Sequence, residues 1–467
     1  MKRSRRVHCL VAVMLLPSNA IADGENITIS VIIAPSGNEL EVTLENNEAE
    51  TYECSMVLKA QTFAGSSFFG EYTFTPNVTL LPAGKQTLLV GGQNIDPTIP
   101  GLVYKTAGIV SQRCEIKSLA TDPRNCGRLG HDCGGGACDQ GACQPAVVQS
   151  GIVNLGGFAV DPSGVFYTAN PGDFDARLMR CPESGCSLRP ELLASGVKEG
   201  QAVQLGPDDV FFGAAPIQST TRNSVYTCPK TGCTARPTSL FNSGLMGGAG
   251  NEIVAGGNRW FSSFGNGIVS CAFVRGQPCA FSAIPAAERA YRSHGTFPLA
   301  IDATYVYFGY NPLSSDAFKR QLLSCSLASD CSAPTLLAED LTPDALRALD
   351  GTVYILRSGL SGGVPSGAVL TCLASGCGSA GRPTVFADHL AHPTALAVDA
   401  SGVYWYSADD ETIYSCPLSG CGGGARELAH GQKNVENLAL SGAFVYWSVR
   451  EATTPGNTRS TIYRVAK

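Results

Sequence analysis

The chain has 467 residues, including 53 glycines, 27 prolines and 19 cysteines, and its formal net charge is −6. This acidic balance argues against a nucleic acid or an anionic membrane surface as a partner. No stretch approaches the ~20 continuous apolar residues that a membrane-spanning helix needs, so we expect no transmembrane segment.

The N-terminus has the pattern of a signal peptide. Four basic residues within positions 2–6 precede the short apolar run "CLVAVMLL" and the small-x-small triplet "AIA" at 20–22. We therefore expect a signal peptide over 1–22 and a mature chain that begins at Asp23. That chain would carry 29 Lys+Arg against 39 Asp+Glu, a net charge of −10. The expected location is secreted, periplasmic or at the cell surface.

Residues 23–121 alternate short apolar-polar runs, such as "NITISVIIAP" and "NELEVTLENN", with turn residues. This pattern is typical of half-buried strands. A segment of this length and pattern predicts an immunoglobulin-like β-sandwich in which Cys54 and Cys114 join strands. The domain contains no Trp to complete the antibody pattern, so the prediction concerns the architecture alone.

Cysteine usage predicts a disulfide framework. Removing Cys9 with the signal peptide leaves 18 cysteines, an even number, which predicts nine disulfides in an exported chain. Four of them form a quartet within a cysteine-rich linker over 122–144: Cys126, Cys133, Cys138 and Cys143. We expect two disulfides here, with the connectivity left open. A zinc site is the alternative, although the spacing differs from the Cys-x2-Cys knuckle.

The other twelve cysteines mark a repeat of about 40–50 residues, the length of a β-propeller blade. They form six close pairs: Cys181/Cys186, Cys228/Cys233, Cys271/Cys279, Cys325/Cys331, Cys372/Cys377 and Cys416/Cys421. Each repeat has a first strand such as "LAVD", a second such as "VYWYS", a third such as "TIYSC" and a fourth such as "PELLAS". Four short antiparallel strands per repeat predict a propeller blade.

Seven second strands begin near Val165, Val210, Arg259, Val306, Val353, Val403 and Val445. The seventh repeat stops after its third strand. The missing outer strand is available at 145–151, where "PAVVQSG" resembles "PELLASG" at 190–196. We therefore predict a seven-bladed propeller over 145–467, closed by its own N-terminal strand so that no long sheet edge stays open.

The turn "CPLSGC" explains why each cysteine pair is so close. Cys416 ends the third strand, Pro417 fixes φ, Gly420 supplies a permissive backbone and Cys421 begins the return strand. The disulfide would therefore staple a hairpin. A redox-active pair is the rival interpretation, but six copies at one place in a repeat favour the structural role.

The repeats resemble those of the YWTD and NHL propeller families, whose "IAVD...VYW" units they match at 159–165, 300–306 and 397–405. The segments "YWYS" and "YWSV" lack the Asp that gives the YWTD family its hydrogen-bond network between blades. The run "CGRLGHDCGGGACDQGACQP" resembles a cysteine-rich element that precedes propellers in secreted proteins of myxobacteria. The resemblance implies the architecture and no known activity.

Two sets of residues are candidates for chemistry. Asp161, Asp302 and Asp399 each precede the turn between the first two strands, where we expect them to cap their own turns. Four histidines lie in the connectors between blades, near the expected channel mouth: His294, His389, His392 and His430. There they could act as a general base or as metal ligands, although exposed connectors often carry histidines with neither role.

Two functional hypotheses follow. The first is an exported, non-enzymatic binding, adhesion or scaffold protein that uses the propeller face and loops to bind an unknown protein or glycan. The second is a His-dependent lyase or hydrolase at the channel mouth. The first is favoured because no acid, base and nucleophile converge in the sequence. No cofactor is expected.

Overall fold

A computed structural model of the chain describes residues 18–21, 27–33, 39–46, 51–80, 85–90, 102–117, 121–128, 131–172, 175–183, 185–186, 189–215, 224–233, 236–242, 252–256, 259–264, 267–274, 281–283, 298–310, 321–329, 331–341, 343–361, 364–365, 367–378, 381–422, 424–454 and 457–467. Two compact units are present. One comprises Met1–His131 with Cys138–Ala142, and the other comprises Asp132–Ala137 with Cys143–Lys467. In the residues that the structure describes, the regular structure of both units is β.

The N-terminal unit contains two sheets. Its strands are β1 (Ser18–Ile21), β2 (Ile27–Ile33), β3 (Leu40–Asn46), β4 (Thr51–Ala64), β5 (Ser67–Phe74), β6 (Asn77–Leu80), β7 (Lys85–Val90) and β8 (Leu102–Lys117). One sheet has the order β1-β2-β3-β7, and in the other β4 pairs with β5, β6 and β8. Buried residues of both sheets, such as Val42 and Leu58, share one hydrophobic core.

Two sequence predictions concern the N-terminal unit. Residues 18–21 pair with β2 as a strand, although they fall inside the predicted signal peptide, whose apolar run lies outside the described residues. Cys54 and Cys114 lie opposite each other on the neighbouring strands β4 and β8. Their side chains lie outside the described set, so their disulfide stays a prediction, as does the immunoglobulin-like class of the sandwich.

The cysteine quartet forms two crossed disulfides around a small hairpin, β9 (Cys138–Asp139) and β10 (Ala142–Cys143). Cys126 bonds Cys138, and Cys133 bonds Cys143. The two bridges use all four sulfur atoms, which leaves no thiolate for the alternative zinc site. Spacing alone left this connectivity open.

The C-terminal unit is a succession of four-stranded antiparallel sheets. Its strands are β11 (Ala146–Val153); β12 (Leu155–Asp161), β13 (Gly164–Ala169), β14 (Ala176–Cys181) and β15 (Glu191–Val197); β16 (Val203–Leu205), β17 (Asp209–Ala214), β18 (Ser224–Pro229) and β19 (Thr238–Asn242); β20 (Glu252–Gly256), β21 (Arg259–Phe264), β22 (Gly267–Ala272) and β23 (Phe281–Ala283); β24 (Leu299–Ile301), β25 (Tyr305–Tyr310), β26 (Gln321–Ser326) and β27 (Thr335–Glu339); β28 (Ala345–Leu349), β29 (Thr352–Arg357), β30 (Leu360–Ser361), β31 (Val364–Pro365), β32 (Gly367–Leu373) and β33 (Thr384–Leu390); β34 (Pro393–Asp399), β35 (Gly402–Ser407), β36 (Thr412–Cys416) and β37 (Arg426–Ala429); β38 (Val435–Ser441), β39 (Phe444–Thr454) and β40 (Asn457–Ala466).

Each sheet runs from an inner first strand to an outer fourth strand, as in β12-β13-β14-β15. The second strand is the most buried: every described residue of β35, "GVYWYS", is buried. The second strands are rich in β-branched and aromatic residues, because neighbouring sheets cover both faces of each sheet there. Trp405 and Trp447 occupy the same position in their repeats, and both are fully buried.

The first strands form a closed ring. Each contacts the first strand of the next sheet, through β12, β16, β20, β24, β28, β34 and β38, and β38 contacts β12 again. This radial arrangement is that of a β-propeller.

The strand β11 completes the last sheet, whose order is β11-β40-β39-β38. Ala146 pairs with Arg464, and Val153 pairs with Arg459, more than 300 residues along the chain. The predicted closure by an N-terminal strand is therefore confirmed. Val148 and Ile152 of β11 are buried in the core that the last and first sheets share.

The cysteine pairs lie in the turn between third and fourth strands. Five of the six are bonded: Cys181–Cys186, Cys228–Cys233, Cys325–Cys331, Cys372–Cys377 and Cys416–Cys421. Cys271 is also in a disulfide, and Cys279 lies outside the described residues. Seven disulfides among the described cysteines indicate an oxidising, extracellular environment.

The "CPxxGC" turns have one geometry. In all three the glycine N–H donates to the proline carbonyl oxygen over 2.9 Å. The glycines Gly185, Gly232 and Gly420 have φ of 101°, 102° and 104°, which strongly favours glycine. The second cysteine then contacts the preceding sheet: the Cys233 N–H donates to the Leu193 carbonyl oxygen at 2.9 Å. The disulfide therefore holds both a hairpin and a contact between sheets.

Candidate functional site

The first strands of all seven sheets line one central cavity of about 380 Å³. Each first strand pairs on one side only, with its second strand, so its other edge faces the cavity. Main-chain N–H and C=O groups on such an edge are available to a ligand or to water. The volume falls in the range of roughly 300–1,000 Å³ that is typical of ligand pockets.

Two polar residues stand at a position of the first strand where other repeats have alanine. In the repeat, Ala159, Ala300 and Ala439 occupy the same position of the first strand, as their pairing with the second strand shows. Gln204 and Arg347 stand at that position in the second and fifth sheets. All five residues line the cavity. Alanine has no polar side-chain group, whereas Gln204 and Arg347 add hydrogen-bond donors to the set of residues that line the cavity.

Arg347 is the one charged residue among the described residues that line the cavity. It is partly buried, and one guanidinium nitrogen donates to the Leu346 carbonyl oxygen at 2.6 Å. A guanidinium has five N–H donors in a fixed fork. Asn437 adds a carboxamide to the wall.

Sequence reasoning missed Arg347 and Gln204, although a signal was present. Arg347 in "ALRALD" and Gln204 in "AVQLG" stand where other repeats have the alanine of "LAVD". The departure becomes visible once the repeats are aligned on the second strand.

The structure does not bring the described candidate histidines together in the channel. His389 and His392 are 87% and 55% exposed, and their Nδ1 atoms lie near Asp388 and Asp409 respectively. His430 is exposed and shares a 2.8 Å hydrogen bond with the Thr412 hydroxyl. None of the three is among the residues that line the cavity. His294 lies outside the described residues, so the four-histidine site stays a prediction.

The three aspartates cap their own turns, as the sequence predicts. In each, Oδ1 accepts a hydrogen bond from the backbone N–H two residues later. The N···O distances are 2.8 Å for Asp161, 2.7 Å for Asp302 and 2.9 Å for Asp399. A glycine must follow in two of these turns: a Cβ at Gly164 would lie 2.2 Å from the Cys181 carbonyl oxygen.

The second carboxylate oxygen of each aspartate reaches the next sheet. We call the boundary between consecutive sheets a seam. Asp161 Oδ2 accepts a hydrogen bond from Lys230, and Asp399 Oδ2 accepts one from Lys467. Asp302 Oδ2 accepts one from the Gly351 N–H at 3.0 Å. These aspartates are therefore occupied in holding sheets together.

The charge state of the two ion-paired aspartates follows from this geometry. Burial alone would raise the pKa of Asp161, but hydrogen bonds from Lys230 and Ser163 together hold its pKa below the ordinary value. The same balance lowers the pKa of Asp399, where Lys467 and Ser401 donate. Both carboxylates are ionised at neutral pH, and neither is poised to act as a general acid there.

Known proteins give the following comparisons. No protein-family model matches the chain, and no curated protein matches it. Among solved structures, the WD40 β-propeller domain of Doa1 is similar at 10% identity and a TM-score of 0.44, over 68% of this chain and 95% of that one. The β-propeller domain of the Trilobed protease from Pyrococcus furiosus is similar at 8% identity and a TM-score of 0.45, over 64% and 91%.

A polysaccharide lyase, Uly1, is similar at 10% identity and a TM-score of 0.42, over 69% of this chain and 91% of that one. Separately, the described part of the chain has no helix with the length and apolar character needed to cross a membrane.

Proposed function

We propose that this is an exported glycan-binding protein in which the seven sheets are the blades of one propeller and the ligand is held at the central channel. An immunoglobulin-like sandwich would precede the propeller as a spacer. The proposal rests on one observation: Gln204 and Arg347 replace alanine at a single level of an open cavity.

The chemistry of the lining suits a hydroxyl-rich or carboxylate-bearing ligand. The side chains of Arg347, Gln204 and Asn437 can all donate hydrogen bonds, and the guanidinium can bind a carboxylate with two parallel bonds. Main chain of the first strands forms much of the remaining wall, because the inner edge of each first strand faces the cavity. Its N–H and C=O groups can bond the hydroxyl groups of a sugar.

Binding is favoured over catalysis because the described lining has no side chain that could act as a general base or nucleophile. Among the described residues that form the cavity wall, none has a carboxylate, imidazole, thiol, hydroxyl or amine side chain. General base and nucleophilic catalysis both need such a group within hydrogen-bond reach of the substrate. The described histidines lie elsewhere, so the lyase or hydrolase alternative has no support from this cavity.

The test compares two alanine variants with a matched control on an array of neutral and uronic-acid oligosaccharides. Arg347→Ala and Gln204→Ala restore the residue that other repeats have at this position, so we expect both to fold. Each variant should lose binding of the glycans that the unchanged chain binds. Arg357→Ala changes an exposed arginine of the same sheet and should bind as the unchanged chain does. Absence of glycan binding by the unchanged chain, or equal loss in all three variants, would refute the proposal.

A further inference from the structure

The seams of the ring differ at one repeated position. At this position, the residue that ends the first strand of one sheet faces a residue of the next sheet. The second residue lies two places after the cysteine of the third strand. Asp161 meets Lys230 in this way, and Asp399 meets Lys467, which holds the equivalent place in the last sheet. At the seam where the last sheet meets the first, Ser441 donates to Glu183 at 3.2 Å. Each pair fills its seam with complementary groups.

The seam between the second and third sheets has no such pair. Gly206 takes the place of the aspartate, because its N–H closes the same turn by donating to the Asp209 carbonyl oxygen at 2.8 Å. Phe273 stands two residues after Cys271, where Lys230 follows Cys228. Glycine has no side chain that could contact the Phe273 ring. A cavity of about 160 Å³ occupies the space, and both Gly206 and Phe273 line it.

Aromatic rings form one wall of this seam cavity. Phe211 and Phe273 contact edge to face, with ring centroids 5.0 Å apart. Leu205, Pro207 and Ala255 add apolar surface. A third aromatic ring could extend such an edge-to-face arrangement, which is favourable beyond the area that it buries.

Two charged residues, Arg259 and Asp209, are also among the residues that line this cavity. Arg259 lines the cavity, and its guanidinium is anchored to the next sheet by hydrogen bonds to the carbonyl oxygens of Leu327 and Ser329 at 3.0 and 2.8 Å. Asp209 also lines the cavity and is 6% exposed. A carboxylate has about four lone-pair sites, so it can receive a hydroxyl hydrogen in addition to any other partner.

We infer that the seam cavity is a binding site for a small phenol-type molecule, one aromatic ring with a hydroxyl group. The ring would lie against Phe211 and Phe273, and the hydroxyl would donate to the Asp209 carboxylate. The volume agrees with this size, because a cavity of about 150 Å³ holds one benzene molecule. The site adjoins the channel at Leu205, which lines both cavities, but neither Gln204 nor Arg347 lines it. Its ligand is independent of the proposed glycan.

The test measures binding of phenol and toluene to the full chain by ligand-observed NMR. Phenol should bind saturably and more tightly than toluene, because only phenol has a hydroxyl for Asp209. Gly206→Leu should abolish binding: Gly206 and Phe211 both line the cavity, and a Cβ at Gly206 would lie 2.9 Å from the Phe211 ring, so the added side chain must displace that ring. Ser441→Ala, at the same position of the last sheet, should leave phenol binding unchanged.

Two further variants keep the outcome decisive. Ala255→Leu fills the cavity from another wall, so it replaces Gly206→Leu if that variant does not fold. Arg347→Ala should bind phenol normally even if it loses glycan, which separates this site from the proposed function. No saturable binding of phenol, equal affinity for toluene, or undiminished phenol binding in a folded cavity-filling variant would overturn the inference.

Discussion

Asp161 and Asp399 each use one carboxylate oxygen for their own turn and the other for a lysine of the next sheet. The turn role could be predicted from the sequence, because Asp before Ser-Gly forms a local hydrogen bond to its own backbone. The lysine partners could not, since Lys230 lies 69 residues beyond Asp161. Only the three-dimensional repeat brings the two positions together.

The Asp161–Lys230 pair should contribute measurably to stability. Its side chains are only 21% and 15% exposed, so Asp161→Asn should lower the free energy of unfolding by about 1–3 kcal/mol at neutral pH. Asp175→Asn is the control. Asp175 pairs with Arg177 in the same sheet, but both side chains are more than two-fifths exposed, and the expected loss is below about 1 kcal/mol. Chemical denaturation of each variant gives both values.

The Asp161 effect should also depend on pH. The folded pKa lies below the unfolded value of about 3.9, so the stabilisation is complete above that pH and is lost as the pH falls through the folded pKa. The difference between the unchanged chain and Asp161→Asn should therefore shrink in acid. A difference that stays constant from neutral pH to strong acid would contradict the ionised pair.

At the scale of elements, the repeat was readable because four strands and a cysteine pair recur with little variation. The crossed disulfides of the quartet could not be predicted, since spacing does not determine connectivity. The seam cavity also left no motif, since Gly206, which stands at the aspartate position and lines the cavity, has no side chain. The histidine hypothesis relied on connectors facing the channel, whereas the channel wall is built from the first strands.

The closing strand β11 provides a test with adjacent, identical residues. Val148 is 3% exposed and packs in the core between the last and first sheets, whereas Val147 is 57% exposed. Val148→Ala should lower the free energy of unfolding by about 2 kcal/mol through lost burial and an internal cavity. Val147→Ala should cost less than about 0.5 kcal/mol. Equal effects of the two substitutions would mean that β11 does not pack as described.

For the whole molecule, the closing strand completes the last sheet with a segment from the start of the C-terminal unit. If β11 did not join β40, the last sheet would have three strands and the outer edge of β40 would be open. The same closure makes a central channel lined by every first strand. The proposed ligand site therefore depends on a contact between two strands that lie at opposite ends of this unit.

Hydrogen exchange of the full chain, followed by mass spectrometry, tests this closure most directly. Backbone amides of β11 that bond β40 are protected from exchange as long as β11 stays paired in the last sheet. Peptides from Ala146–Val153 should therefore exchange as slowly as peptides from Asn457–Ala466. Exchange of the β11 peptides at the rate of unstructured chain, with β38 to β40 still protected, would contradict the closed ring.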